Sequence, residues 1–178
     1  MKMMRFLPLA MVLAAGCLLV LGMESKNASV ASPLKGQPVP EFALPSLQHE
    51  QSTITQASLT GEVQLLNVWA SWCGICKSEH AYLKQLVSQQ AITIVGLNYR
   101  DDRQAALGVL KQSGNPYRQV IYDPQGALAL DLGVYGTPET YLIDKNGVIR
   151  HRYVGALTPT IWQQQFAPRI EQLTSLTL

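Results

Sequence analysis

Cysteine, histidine and excess charge are all scarce in this 178-residue chain, and each scarcity removes a class of function. Three cysteines cannot staple a small extracellular scaffold, which needs several bridges to replace a missing core. His49, His80 and His151 show no metal-ligand spacing, so no metal centre is expected, and nothing in the pattern calls for a cofactor. Removing Lys2 and Arg5 from the 14 basic residues leaves 12, equal to the 12 acidic ones. A neutral body has no basic patch to neutralise phosphates, which argues against nucleic acid as a partner. No internal repeat or low-complexity tract is present, which excludes a solenoid.

Long apolar runs are equally rare. The exception is the 18-residue run Phe6 to Met23, which follows Lys2 and Arg5 and sits at the lower end of the length that crosses a bilayer. A cleaved signal and a retained anchor both fit. The anchor is favoured because the run continues six residues past Gly16-Cys17 and no small-x-small cleavage site precedes the polar turn. Cys17 then reads as a small apolar residue within the run. Residues 1–23 are thus expected to be a transmembrane anchor or uncleaved signal, 24–32 a polar linker, and 33–178 one exported domain.

The chemistry concentrates in LLNVWASWCGICKSE, Leu65 to Glu79. Leu65, Leu66, Val68, Trp69 and Ala70 form a nearly continuous apolar run, the pattern of a strand covered on both faces. Ala81, Leu83, Leu86 and Val87 then recur at helical spacing. The period switches across Trp72 to Cys76, which places Cys73 at the start of a helix, where free N–H groups and the helix dipole favour a thiolate. Cys76 lies one turn on, within disulfide reach. Half a zinc site or a purely structural bridge are the competing readings. The missing second ligand pair weighs against the first, and the helix-opening position against the second.

Elsewhere strand and helix alternate, the signature of an α/β domain. Val39, Phe42 and Leu44, among Pro38, Pro40 and Pro45, suit a short edge hairpin. Thr53 to Leu59 reads as a turn or two of helix and Ile92 to Leu97 as a buried strand. Asp102 is placed to cap a helix over Gln104 to Gln112. Strand Val120 to Tyr122 and short helix Leu128 to Leu132 follow. Tyr141 to Ile143 and Val148-Ile149 flank Asp144-Lys145-Asn146-Gly147, a hairpin signal. Thr158 to Leu173 closes the domain as an amphipathic helix that Pro168 interrupts.

WASWCGIC resembles the active-site segment of the thioredoxin superfamily. With GVYGTPETYLID, GVIRHRYVG and the N-terminal run, it resembles the membrane-anchored thiol:disulfide interchange proteins of cytochrome c maturation, the CcmG/DsbE family. The resemblance implies a thioredoxin-like fold: a central mixed sheet flanked by helices, with an N-terminal edge hairpin and an N-terminal transmembrane helix. It also implies an exposed attacking Cys73, a buried resolving Cys76, and a cis Pro138 that frees the Thr137 backbone to pair with an extended substrate. Trp72 is expected to shield Cys73 and touch partners, while Trp69 packs in the core. His80 is expected to pack or cap rather than catalyse.

One departure has chemical weight. Thioredoxins carry a buried aspartate six residues before the first cysteine, and here that position is Asn67, which cannot take a proton. Glu79 is the local alternative. Glu79 and Glu139 match acidic residues that the family holds near its dithiol, where they would weaken Cys73 as an acid. The implied activity is a reductant of the bacterial periplasm, single-pass in the inner membrane. It would take electrons from a transmembrane thiol reductase and pass them to apocytochrome c or a haem-ligation thiol protein. A general extracytoplasmic thioredoxin-like reductase or oxidant, and an anchored binding module for cysteine-containing polypeptides, are the alternatives.

Overall fold

The fold follows from one strand buried on both faces. In the computed structural model, which describes Met11 and residues 34–89 and 92–175, every residue of strand β3 (Gln64–Trp69) is buried. Such a strand must lie at the centre of a sheet covered on both sides. It pairs in parallel with β4 (Thr93–Tyr99) and antiparallel with β6 (Glu139–Ile143). β5 (Gln119–Asp123) and β7 (Ile149–Val154) complete a five-stranded mixed sheet in the order β5-β4-β3-β6-β7.

The helices cover the two faces. On one, Leu65, Trp69, Ile94, Val120 and Leu142 pack with helix α1 (Gly74–Ser88) through Cys76, Leu83 and Leu86, and with Ala106 and Leu110 of α2 (Arg103–Ser113). On the other, Leu66, Val68, Val95, Leu97, Ile121, Tyr141 and Ile143 pack against α3 (Ala127–Asp131) and the N-terminal segment. Asp102 caps α2 as its position predicts, accepting the Ala105 N–H at 2.8 Å. The Asp144 to Gly147 turn joins β6 to β7, with Gly147 at φ +78°, a conformation that glycine adopts without penalty.

Three elements differ from the sequence expectation. The edge hairpin pairs β1 (Ala43–Pro45) with β2 (Thr53–Thr55), so the first part of the expected helix is a strand, and a 3-10 turn (Gln56–Leu59) follows it. Upstream of Ala43, Pro38 and Pro40 lack the N–H that a longer ladder needs. β4 runs on through Asn98 and Tyr99, which read as loop; Asn98 is buried beside Trp69 and donates to Asp101. The closing helix has three parts: α4 (Pro159–Ile161), a π-helical turn (Trp162–Phe166) and α5 (Ala167–Ser175). The Ala167 N–H reaches back to the Trp162 carbonyl, a widened turn that admits Pro168, whose ring would clash in a regular helix.

Residues 34–59 also bond part of each outer edge of the sheet. Ser46 bridges Ile121 and the Leu47 N–H bonds the Val120 carbonyl on β5, while Pro38 bridges Val148 and Gly36 and Gln37 bond Ile149 beside β7. The expected anchor over 1–23 and linker over 24–32 lie outside the described residues, apart from Met11. Among the described residues no helix is long and apolar enough to cross a membrane.

Candidate active site

β3 delivers the chain to the start of α1, and the turn between them carries Cys73. Cys73 is the N-cap of the helix and its sulfur accepts the Cys76 N–H at 3.0 Å. In the reduced state the same helix end favours a thiolate there. The two cysteines are joined as a disulfide with Cα atoms 5.3 Å apart. The expected contrast between an exposed Cys73 and a buried Cys76 is absent, since each is only 5 % exposed. The bridge turns the Cys73 sulfur in over the first helical turn. Accessibility belongs instead to the residues around it, with Trp72 58 % and Tyr135 65 % exposed and Ile75 also exposed.

The turn is anchored to the end of β4. Asp101, buried, accepts the Ser71 N–H at 2.5 Å, the Ser71 hydroxyl at 2.6 Å and the Asn98 amide at 2.8 Å. The Trp72 indole N–H donates to the Arg100 carbonyl at 3.0 Å, and Arg100 takes the left-handed φ of +45°. Asp101→Ala strands four donors, the buried Asn98 amide and the part-buried Ser71 N–H, Ser71 hydroxyl and Asp102 N–H. We expect it to lower stability by about 2–3 kcal/mol in urea unfolding, and to speed amide exchange at Ser71 to Cys73 in the folded protein.

The helix that opens at the dithiol carries a buried carboxylate. Glu79, one turn after Cys76, accepts the Asn67 Nδ2–H at 3.0 Å and the Leu157 N–H at 2.6 Å. Burial pushes its carboxyl up to about 7, and the two donors only partly offset that rise. Asn67 also donates to the Thr140 hydroxyl at 3.1 Å and accepts the Tyr117 hydroxyl at 2.9 Å. The strand position that carries an acid in thioredoxins thus holds an amide, which supports an acid borne by the helix. Sequence reasoning reached Asn67 and Glu79 but missed Tyr117, Thr140 and Leu157, which lie far along the chain and carry no local signal.

Glu139 is buried on the opposite face of the sheet from Glu79, among Tyr141 and Leu132. Arg152 grips it, Nε to Oε2 at 2.8 Å and Nη2 to Oε1 at 3.0 Å, and bonds the Gly133 carbonyl at 2.8 Å. The two are paired to each other, so Glu139 is occupied by Arg152 and not by the dithiol. Glu139 instead accepts the Tyr135 N–H at 3.3 Å and so holds the 134–138 loop. That loop ends in the cis Thr137–Pro138 peptide, and the Thr137 hydroxyl is buried with no partner among the described residues. Trp69 is core, stacked on Tyr117, as expected, and His80 bonds the Gly114 carbonyl at 2.6 Å.

These features can be compared with known proteins. The family model described as Redoxin matches residues 34–166. The thiol:disulfide interchange protein DsbE of Escherichia coli K12 is 50 % identical over 145 residues, covering 81 % of this chain and 78 % of its own. This chain belongs to the DsbE family. The DsbE of Pseudomonas aeruginosa is 45 % identical over 167 residues, covering 94 % of this chain and 92 % of its own. Among solved structures, a secreted thiol-disulfide isomerase from Corynebacterium glutamicum superposes with a TM-score of 0.65 at 27 % identity, covering 75 % of this chain and 85 % of its own. The fold is therefore thioredoxin-like and, as in its DsbE relatives, the chemistry is thiol:disulfide exchange. Cys73 and Cys76 are the only cysteines among the described residues, and they are already bonded to each other.

Proposed function

We propose that this DsbE-family protein is a reductant of protein disulfides, with Cys73 as the attacking and Cys76 as the resolving sulfur. The observation that carries this reading is the Cys73–Cys76 disulfide at the helix start, with the buried Glu79 carboxyl one turn beyond it. In the forward direction the Cys73 thiolate attacks a partner disulfide. This forms a Cys73–partner bond and releases the partner's other sulfur as a thiolate, which takes a proton from water. The Cys76 thiol then loses its proton to Glu79 and attacks the Cys73 sulfur, expelling the partner's second thiolate. Two electrons have moved to the partner and the Cys73–Cys76 bond has formed. Re-reduction reverses the path, with protonated Glu79 returning its proton to Cys76. A carboxyl near 7 suits both directions at neutral pH.

The rim supplies the binding surface. Trp72, Ile75 and Tyr135 offer apolar contact, and the Thr137 backbone beside Pro138 pairs with an extended segment of the partner. The substrate we propose is apocytochrome c or a thiol protein that delivers it to haem ligation, with a transmembrane thiol reductase as electron donor. Residues 1–23 anchor the domain to the inner membrane, and 24–32 hold it on the periplasmic side. The naming of its relatives as DsbE interchange proteins and the apolar run after Lys2 and Arg5 support this placement.

The test is capture. Cys76→Ser removes the resolving sulfur, so partners should accumulate as mixed disulfides on Cys73 in cells and be identifiable after non-reducing separation. Recovery of a haem-pathway protein with a CxxCH segment is the expected result. A broad set of unrelated proteins would instead mark a general reductase, and a reduction potential of about −120 mV would mark an oxidant.

A further inference from the structure

Tyr117 stands outside every role assigned so far, yet it is built into the site. β3 and β4 pair with Asn67 opposite Gly96, and a Cβ on Gly96 would lie 3.0 Å from both the Trp69 indole nitrogen and the Tyr117 ring. Glycine is required there so that the Tyr117 ring can lie across β4. The ring stacks on Trp69 with centroids 5.5 Å apart and meets the edge of His80, and its hydroxyl crosses to the next strand to reach Asn67 Oδ1 at 2.9 Å.

An asparagine amide has a donor end and an acceptor end, and a half-turn exchanges them. We propose that Tyr117 is a positioning residue of the exchange reaction, whose hydroxyl locks the Asn67 amide with its NH2 toward Glu79 and so governs how readily Glu79 takes and returns its proton. The proposal rests on the reading of Glu79 as the acid–base group for Cys76.

The logic is one of directional donors. Complete burial and the neighbouring Glu79 push the Tyr117 phenol far up, so it stays protonated and always donates. Its O–H occupies Asn67 Oδ1, leaving only N–H groups to face Glu79 Oε1 and Thr140. Donors of that kind favour the carboxylate. With the hydroxyl gone, the amide can turn over, present Oδ1 to Glu79 and accept a hydrogen bond from its protonated carboxyl, a geometry that favours the acid form. The other groups around Glu79 do not compete for this role. Asn67, Thr140 and the Leu157 N–H are neutral, His80 is directed to Gly114, and on its own helix Cys76 is held in the disulfide and does not titrate, while burial pushes the Tyr82 phenol up so that it stays neutral.

Tyr117→Phe keeps the ring stack and deletes only the hydroxyl. The experiment follows the Glu79 side-chain carboxyl by carbon NMR as pH is varied, in the oxidised protein, with and without Asn67→Ala. The expected result is a midpoint raised by about one pH unit in Tyr117→Phe, with no further rise from Tyr117→Phe once Asn67 is alanine. An unchanged midpoint overturns the proposal, as does a rise that persists without Asn67, which would mean that the phenol acts directly. If Asn67→Ala does not fold, Asn67→Ser, which has no amide to turn over, takes its place in the comparison. Failure of the acid–base reading is separable: it would appear as unimpaired turnover in Glu79→Gln and would leave these midpoints where they are.

Discussion

Glu79→Gln should slow disulfide exchange by about 100-fold at pH 7 while making the domain more stable at alkaline pH. On the proposed mechanism the kinetic loss follows from removing the buried carboxyl one turn after Cys76, because glutamine neither takes the Cys76 proton nor returns it. Stopped-flow reduction of a model protein disulfide reads this directly, and the loss should shrink as pH rises and hydroxide replaces the base. The stability gain follows from linkage. The Glu79 carboxyl is held at about 7 in the folded protein, above its ordinary value of 4.5. The folded state therefore binds more protons than the unfolded state between those pH values, and stability falls as pH rises through that window. The full effect is on the order of 3 kcal/mol by pH 8. Glutamine cannot ionise, so urea midpoints of the variant should stay nearly level where the native chain weakens. Part of the gain is lost because its NH2 meets either the Asn67 amide or the Leu157 N–H, both of which are donors. A variant with a native pH–stability slope would show that Glu79 is not the group responsible.

Arg152→Leu should be the most damaging substitution for the fold, lowering stability by about 3–5 kcal/mol in chemical unfolding. The Arg152 and Glu139 side chains are 4 % and 0 % exposed, so removing the cation leaves a buried carboxylate with no counter-charge. It also frees the Gly133 carbonyl and withdraws a guanidinium lying 5.2 Å from the Tyr135 ring centroid and 5.6 Å from that of Tyr141. Adding Glu139→Gln to Arg152→Leu should recover a large part of the loss, because the amide oxygen still accepts from Tyr141 or the Tyr135 N–H without bringing a charge. If the double variant is no more stable than Arg152→Leu alone, unpaired charge is not the cause.

The sequence made the chemistry legible before it made its control legible. The change from a doubly buried strand to a helix at Trp72 to Cys76 is local, and so are the Asp102 cap and the Asp144 to Gly147 turn; short-range periodicity and turn chemistry suffice for these. Proline before a strand pointed to the 134–138 loop only through resemblance. What determines Glu79 is long-range: its partners Asn67 and Leu157 lie 12 and 78 residues away, and a glutamate on an otherwise amphipathic helix gives no sign of burial. Arg152 was more accessible to inference. Once the hairpin register sets Arg152 opposite Tyr141, Glu139 is its diagonal neighbour on the same face, and opposite charges at that spacing pair. The missed length of β4 has the same origin, since Asn98 is polar in sequence yet is buried by Asp101 and Trp69.

The arrangement around Ser46 and Pro38 bears on how the domain survives at high local density. An open β-edge is a template onto which another chain can add a strand, the first step towards aggregation. Here each flank of the sheet is bonded in part by one continuous stretch, residues 34–59, at Val120 and Ile121 of β5 and at Val148 and Ile149 by the start of β7, and that stretch contributes no sulfur to the chemistry. Protection against self-association and thiol exchange are thus assigned to separate parts of the polypeptide, and the dithiol loop is left free to present its apolar rim to other proteins.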